Sequence, residues 1–171
     1  MGDILVLLFF GIVPVCCTYY VIMPEGYKTV NAEVMMAAIA CGLVVDTLLV
    51  VNNFRDRDND REAGKRTLIV KLIDRWGEKS ALRLYLLLGY VPLAIMLGMG
   101  IHDAVVRDTS TFALPLYAVY AVMHHTTYRQ MKTINHGREL NGVLGSTARN
   151  IFIYGLIVFF LTIVQGFALE I

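Results

Sequence analysis

Cysteine and charge are both scarce in this chain of 171 residues, which has three Cys and only 17% Asp, Glu, Lys and Arg. Cys16, Cys17 and Cys41 all fall in apolar stretches. An odd number so placed argues against a disulfide framework and against a zinc ligand set, and in favour of small apolar packing residues. No internal repeat or low-complexity tract is present. The formal net charge is only +1, and no nucleic-acid partner is expected. What fills the chain instead is apolar: 57% of it is hydrophobic, above the usual share of a soluble domain.

The apolar residues are gathered into five stretches of 18 or 20 residues, at 4–23, 34–51, 84–101, 109–128 and 150–169. A helix rising ~1.5 Å per residue needs this length to cross a ~30 Å hydrocarbon core. Five transmembrane helices are expected, in a single membrane domain over 1–171. Only Asp46 interrupts the second stretch, and the fourth carries Pro115 and ends in "HHTTY". The first is not a signal peptide, because its flank "MGD" is acidic and its apolar run is too long. Thirteen of the fifteen Lys and Arg fall between stretches two and three or between four and five; Lys28 and Arg107 are the others. The positive-inside rule makes that side cytoplasmic, with the N-terminus inside and the C-terminus outside. A multi-pass protein of the cytoplasmic (inner) membrane follows.

Against the second apolar stretch lies "NNFRDRDNDREAGKRTL", residues 52–68, the start of a charged loop over 52–83. If the helix continues through it, each residue turns ~100°. With Asp46 at zero, Asn53 then falls at about −20°, Asp56 at about −80° and Asp60 at about −40°, while Asp58 points well away. Asp56 and Asp60, one turn apart on one face, suit a hard divalent cation. Mg²⁺ is expected, since it binds a few carboxylates together with substrate phosphate oxygens. Gly64 is expected to end the helix, leaving Lys65 and Arg66 on the turn that follows, where they can grip a diphosphate. The competing reading is a solvated cap with local ion pairs such as Asp58 with Arg61. An ionisable residue inside a span, here Asp46, weighs for function. "GKRT" is not a phosphate loop, because Asn59 stands where that motif needs glycine and Arg66 where it needs Ser or Thr.

The string Asn52-Asn53-x-Arg55-Asp56-x-x-x-Asp60-x-x-x-Gly64-Lys65-x-Thr67-Leu68 resembles the second aspartate-rich motif of the UbiA superfamily of intramembrane prenyltransferases. It most resembles the menaquinone branch, which prenylates 1,4-dihydroxy-2-naphthoate. The likeness continues more loosely at residues 8–11, 18–20 and 138–150. The resemblance implies Mg²⁺-dependent transfer of a polyprenyl chain from polyprenyl diphosphate to the dihydroxynaphthoate ring, with loss of its carboxylate, giving demethylmenaquinone. It implies Asp56 and Asp60 as metal ligands, with Asn53 auxiliary. It also implies substrate contacts from Asn53, Arg55, Lys65 and Arg66, with Lys65 counted beside the two aspartates in the catalytic set. Members of that family have about nine membrane helices and an earlier first motif. This chain is therefore expected to match the C-terminal portion of a nine-helix bundle, an all-α membrane fold that lacks the first half of the metal site. Either the chain is a fragment, or another chain supplies that missing N-terminal half. Alternatives are another aromatic acceptor, a transporter segment, or a non-catalytic membrane subunit.

Smaller signals have ordinary readings. Adjacent His124 and His125 diverge by ~100° on a helix and read as interfacial polar residues. His136 reads as part of a solvated loop near the site. Asn141 and Thr147 read as interhelical hydrogen-bonding residues near the cytoplasmic face.

Overall fold

The computed structural model describes residues 2–106 and 114–168, and side-chain surroundings as far as residue 164. All regular structure among the described residues is helical. We number the helices α1 (Gly2–Ile22), α2 (Ala32–Glu62), α3 (Leu68–Trp76), α4 (Glu78–Val106), α5 (Leu116–Ile134) and α6 (Leu140–Ala168). Four of them, α1, α2, α4 and α6 (over Leu140–Val164), are long and apolar enough to cross a bilayer. The chain is an all-helical, multi-pass membrane protein.

Among the described residues four helices qualify, one fewer than the five spans expected. Residues 109–113 of the fourth stretch lie outside the described residues, and the helix that follows starts at Leu116, after Pro115, and runs on to Ile134. This displacement brings in Arg129 and Lys132, so α5 is less apolar than the other long helices. Its inner face is nevertheless regular. Tyr117, Tyr120, His124, Thr127 and Met131 are buried at alternating spacings of three and four. On α6, Val143, Thr147, Asn150, Tyr154, Ile157 and Leu161 are buried at the same spacing. Two such stripes meet as a coiled-coil-like seam. Asn150 donates to Thr127 Oγ1 at 2.9 Å across it, and the rings of Tyr120 and Tyr154 lie 5.0 Å apart.

The first two helices touch backbone to backbone. A Cβ on Gly11 would stand 2.6 Å from Gly42 Cα, so only glycine fits there. Small residues at such crossings let membrane helices approach closely. At the same point α1 widens into a π-helical turn over Leu7–Ile12. Pro14 has no N–H for the Phe10 carbonyl four residues back. That carbonyl instead accepts from the Cys41 thiol of α2 at 3.6 Å. Cys41 therefore does more than fill space, the role its apolar surroundings suggested.

The apolar core falls into two groups along the bundle. Near the charged end, Val50, Val51 and Phe54 of α2 pack with Ile69, Ala81, Tyr85, Met131, Leu140 and Val143. Toward the far end, Val44, Leu93, Tyr117, Tyr120, Tyr154, Ile157 and Leu161 form the second group. Helix α3 covers the first group with Ile69 and Val70, while Lys71, Asp74 and Arg75 stay exposed. Its start is capped by Thr67, whose Oγ1 accepts from the Val70 N–H.

Candidate functional site

Helix α2 has 31 residues. At ~1.5 Å each it is about 46 Å long, more than the ~30 Å hydrocarbon core. With 34–51 in the bilayer, the segment from Asn52 to Glu62 stands beyond the membrane as a continuation of the same rod. The expected helical reading of the aspartate stripe holds: Asp56 and Asp60 lie one turn apart on regular α-helix. Asp60 is buried to 8% exposure and Asp56 is partly buried.

The end of the helix sets the position of Lys65. Gly64 takes φ +71°, a conformation that costs glycine little. The Gly64 N–H bonds the Arg61 carbonyl at 3.1 Å and the Lys65 N–H bonds the Asp60 carbonyl at 2.8 Å, the paired closure of a Schellman cap. The chain curls back over the helix end, and Lys65 Nζ comes to rest 3.3 Å from Asp60 Oδ1. Gly64 thus stops the helix as its place in the sequence suggests, and it also delivers the lysine. Arg66 is exposed on the same turn, and Asn53 is partly buried on the helix.

Arg55 is the other cation bound to the stripe. Its Nε and Nη2 donate to the two carboxylate oxygens of Asp56 at 2.8 and 2.7 Å, a two-pronged pair. Nη2 also reaches Asn52 Oδ1 at 2.8 Å, and Nη1 reaches Asn141 Oδ1 of α6 at 2.9 Å. Asp56 stands five residues beyond the apolar run. The hydrogen bonds from Arg55 are the main cause that holds its carboxyl below the ordinary aspartate value, and burial opposes them. Asn141, read from sequence as a packing residue, is therefore part of this charged cluster.

Behind the stripe sits a residue whose role the sequence did not disclose. Arg57 is 1% exposed. Its Nη1 donates to the Phe54 carbonyl at 2.6 Å, and its Cζ lies 4.2 Å from the centre of the Phe54 ring. Its Nη2 reaches Glu78 Oε1 of α4 at 3.4 Å and His136 Nδ1 at 2.7 Å. Asn135, beside His136, donates to Glu78 Oε2 at 3.0 Å. Arg57 therefore ties the end of α2 to the start of α4 and to the α5–α6 turn. Asp58 points outward as expected, pairing with Arg61 at 3.1 Å and approaching His136 at 3.5 Å. His136 belongs to this anchor, where the sequence favoured a solvated loop over a part in closing the site.

Deeper in the bundle, Asp46 is 5% exposed and its Oδ1 has no hydrogen-bond partner. It lies ten residues, about 15 Å, before Asp56 along the helix. His124 corrects its sequence reading. It is 1% exposed, stacked on Tyr85 with ring centroids 4.6 Å apart and edge-on to Tyr90 at 5.4 Å. His125 is the exposed one of the two, with Nδ1 3.1 Å from the Tyr90 hydroxyl. Thr147 bridges helices as expected, 3.1 Å from the Tyr85 hydroxyl.

The donor set at the end of α2 fits a hard divalent cation. It offers two carboxylates from one helical face, the type of oxygen donor that such an ion takes together with water and phosphate oxygens. Among the described residues, the group of three potential ligands with converging atoms is elsewhere: Glu33, His102 and Asp103 at the far end, beside a cavity of about 510 Å³.

Comparison with known proteins gives this geometry a family. The model of the UbiA prenyltransferase family matches residues 1–137. The chain belongs to the UbiA prenyltransferase family. The matched span takes in all of α1 to α5, with both the Arg55–Asp56 and Lys65–Asp60 pairs, and stops just before α6. Among curated proteins, the 1,4-dihydroxy-2-naphthoate octaprenyltransferase of Escherichia coli is 39% identical over 106 residues, covering 60% of this chain and 32% of the relative. That of Haemophilus influenzae is 32% identical over 124 residues, covering 71% of this chain and 38% of the relative. UbiA prenyltransferase domain-containing protein 1 of Gallus gallus is 27% identical over 151 residues, covering 85% and 41%. The chain thus spans roughly a third to two fifths of the length of these UbiA relatives. No solved structure matches it.

Proposed function

We propose that this chain is the C-terminal part of an intramembrane prenyltransferase that transfers a polyprenyl group from polyprenyl diphosphate to 1,4-dihydroxy-2-naphthoate in menaquinone biosynthesis. The observation that carries this reading is the cluster on the protruding end of α2. It combines two carboxylates one turn apart with the cations Arg55 and Lys65, at the mouth of an apolar helix bundle. The named activity of the Escherichia coli and Haemophilus influenzae relatives supports the acceptor.

In this reading Asp56 and Asp60 hold Mg²⁺, with Asn53 as an auxiliary oxygen donor. The ion would neutralise the diphosphate so that it can leave an allylic carbon. Arg55, Lys65 and Arg66 take up the outer oxygens of the same group, Arg55 with a planar fork and Lys65 as a mobile point charge. The prenyl tail lies along apolar helix faces in the bilayer, while the head group meets the cluster at the cytoplasmic surface. The chain brings one half of the charged site, and the share of the relatives that it covers supports a partner segment with the other half.

The test is co-expression with the N-terminal four helices of a relative. The isolated chain should give no product from polyprenyl diphosphate, dihydroxynaphthoate and Mg²⁺, and the pair should restore some. In the restored pair, Asp56→Asn or Asp60→Asn should lower turnover by about 10² or more, the scale of losing a preorganised electrostatic partner. Asp58→Asn should cost far less. Equal and mild effects at all three positions would return the stripe to a solvated cap.

A further inference from the structure

Both carboxylates of the cluster already have partners, and each partner is a cation that the proposed function gives to the diphosphate. Arg55 holds Asp56 through two hydrogen bonds, and Lys65 holds Asp60. The four side chains neutralise one another, two against two. We infer that the site loads by partner exchange: metal and diphosphate enter together, the metal replacing the cations on Asp56 and Asp60 while the diphosphate takes the released Arg55 and Lys65. This inference rests on the proposed function.

The reason lies in what each ligand meets alone. A divalent cation arriving by itself must pull Asp56 from Arg55 and Asp60 from Lys65, and leaves two cations unpaired beside it. A diphosphate arriving by itself must pull the same pairs apart, and leaves two carboxylates facing a polyanion. Only both together give all four side chains a new partner. The binding of one therefore raises the affinity of the other by the same factor, as linkage requires.

The two cations are held in different ways suited to this. Lys65 has a fixed backbone, through its N–H on the Asp60 carbonyl, and a side chain that is 69% exposed. It can swing without moving the turn. Arg55 is moored by two neutral amide oxygens besides Asp56, Asn52 on its own helix and Asn141 on α6. It can let go of Asp56 and still be held in place. Asn141 has no charge, so its part in the exchange is separable from simple electrostatics.

Equilibrium dialysis of the 171-residue chain in nanodiscs tests this, with Mn²⁺ as the divalent probe and inorganic pyrophosphate as the anion, each measured as excess on the protein side. Each probe alone should bind weakly, and each should bind about tenfold or more tightly in the presence of the other. Arg55→Lys keeps the charge but loses the fork, so Mn²⁺ alone should bind about two- to fivefold more tightly, the range set by a partly exposed ion pair. Asn141→Ala should weaken pyrophosphate in the presence of Mn²⁺ by a similar factor and leave Mn²⁺ alone unchanged. Wild-type values in both variants, with Mn²⁺ binding lost in Asp56→Asn, would overturn the exchange and leave the proposed site standing. Retention of neither probe by the wild-type chain would overturn the exchange together with the half-site on which it rests.

Discussion

Nη2 of Arg57 lies 2.7 Å from Nδ1 of His136, joining residues 79 positions apart at the charged end of the bundle. The guanidinium also faces Glu78, so one buried side chain locks three separate segments. Arg57→Leu should lower the stability of the detergent-solubilised chain by about 1–3 kcal/mol, the cost of a lost hydrogen-bonded charge whose remaining partner can reach water. Thermal unfolding measures it. Arg57→Lys should recover only part, since a single ammonium cannot replace the fork. An unchanged midpoint in the leucine variant would remove the anchor from the account.

The same anchor predicts a pH response. Glu78 opens α4, six residues before its apolar run, and faces Asn135, Arg57 and His136. The hydrogen bond from Asn135 is the main cause that lowers its carboxyl below the ordinary glutamate value, with Arg57 and His136 adding to it and burial opposing. A lowered carboxyl contributes stability above its unfolded pKa, about 4.3, and loses it as pH falls through the folded value. Between pH 5 and pH 3, on the order of that range, the unfolding midpoint should fall more steeply in the wild type than in Glu78→Gln. Parallel curves would contradict the assignment.

Gly89 is where α4 admits the ring of His124, and a Cβ there would collide with all three nearest ring atoms. Gly89→Ala should therefore destabilise the bundle by about 1–3 kcal/mol through overpacking. The double variant with His124→Ala should regain part of the loss, because the obstructing ring is gone. Additive losses in the two variants would mean that the alanine is absorbed elsewhere.

Orientation is open to direct chemistry. Single cysteines at Arg61 and at Lys132, in a background free of Cys16, Cys17 and Cys41, should react with an impermeant thiol reagent only from the cytoplasmic side. Both positions are exposed, so access is not limiting. Labelling of both from outside would reverse the topology and move the charged cluster with it.

The stripe was readable because it needs only helical geometry: Asp56 and Asp60 share a face, Asp58 leaves it, and Gly64 ends it. What escaped was set by neighbours. On the helical wheel Arg57 falls about 20° from Asp46, which names the face they share but not what covers that face. The covering atoms come from Glu78 and His136, distant in sequence. The same limit applies to His124, whose polar type suggested the interface while Tyr85, Tyr90 and the bare Gly89 made room inside. Helix α5 shows a third case. Hydropathy located an apolar run, but the observed helix follows the buried three-and-four stripe from Tyr117 to Met131 and continues into charged residues.

The membrane crossing and the charged cluster share a single unbroken helix, since α2 runs from Ala32 to Glu62 without interruption. Such a rod behaves as a lever with its pivot near the bilayer midplane. Asp60 stands roughly 25 Å from a pivot near residue 43, so a change in tilt of about 10° displaces its carboxylate by about 4 Å. That tilt is fixed by packing against the neighbouring helices, and the ties from Arg55 to Asn141 and from Arg57 to Glu78 and His136 hold the outer end of the rod. The placement of the two carboxylates is therefore set by the contacts that α2 makes along its whole length, as well as by their own partners.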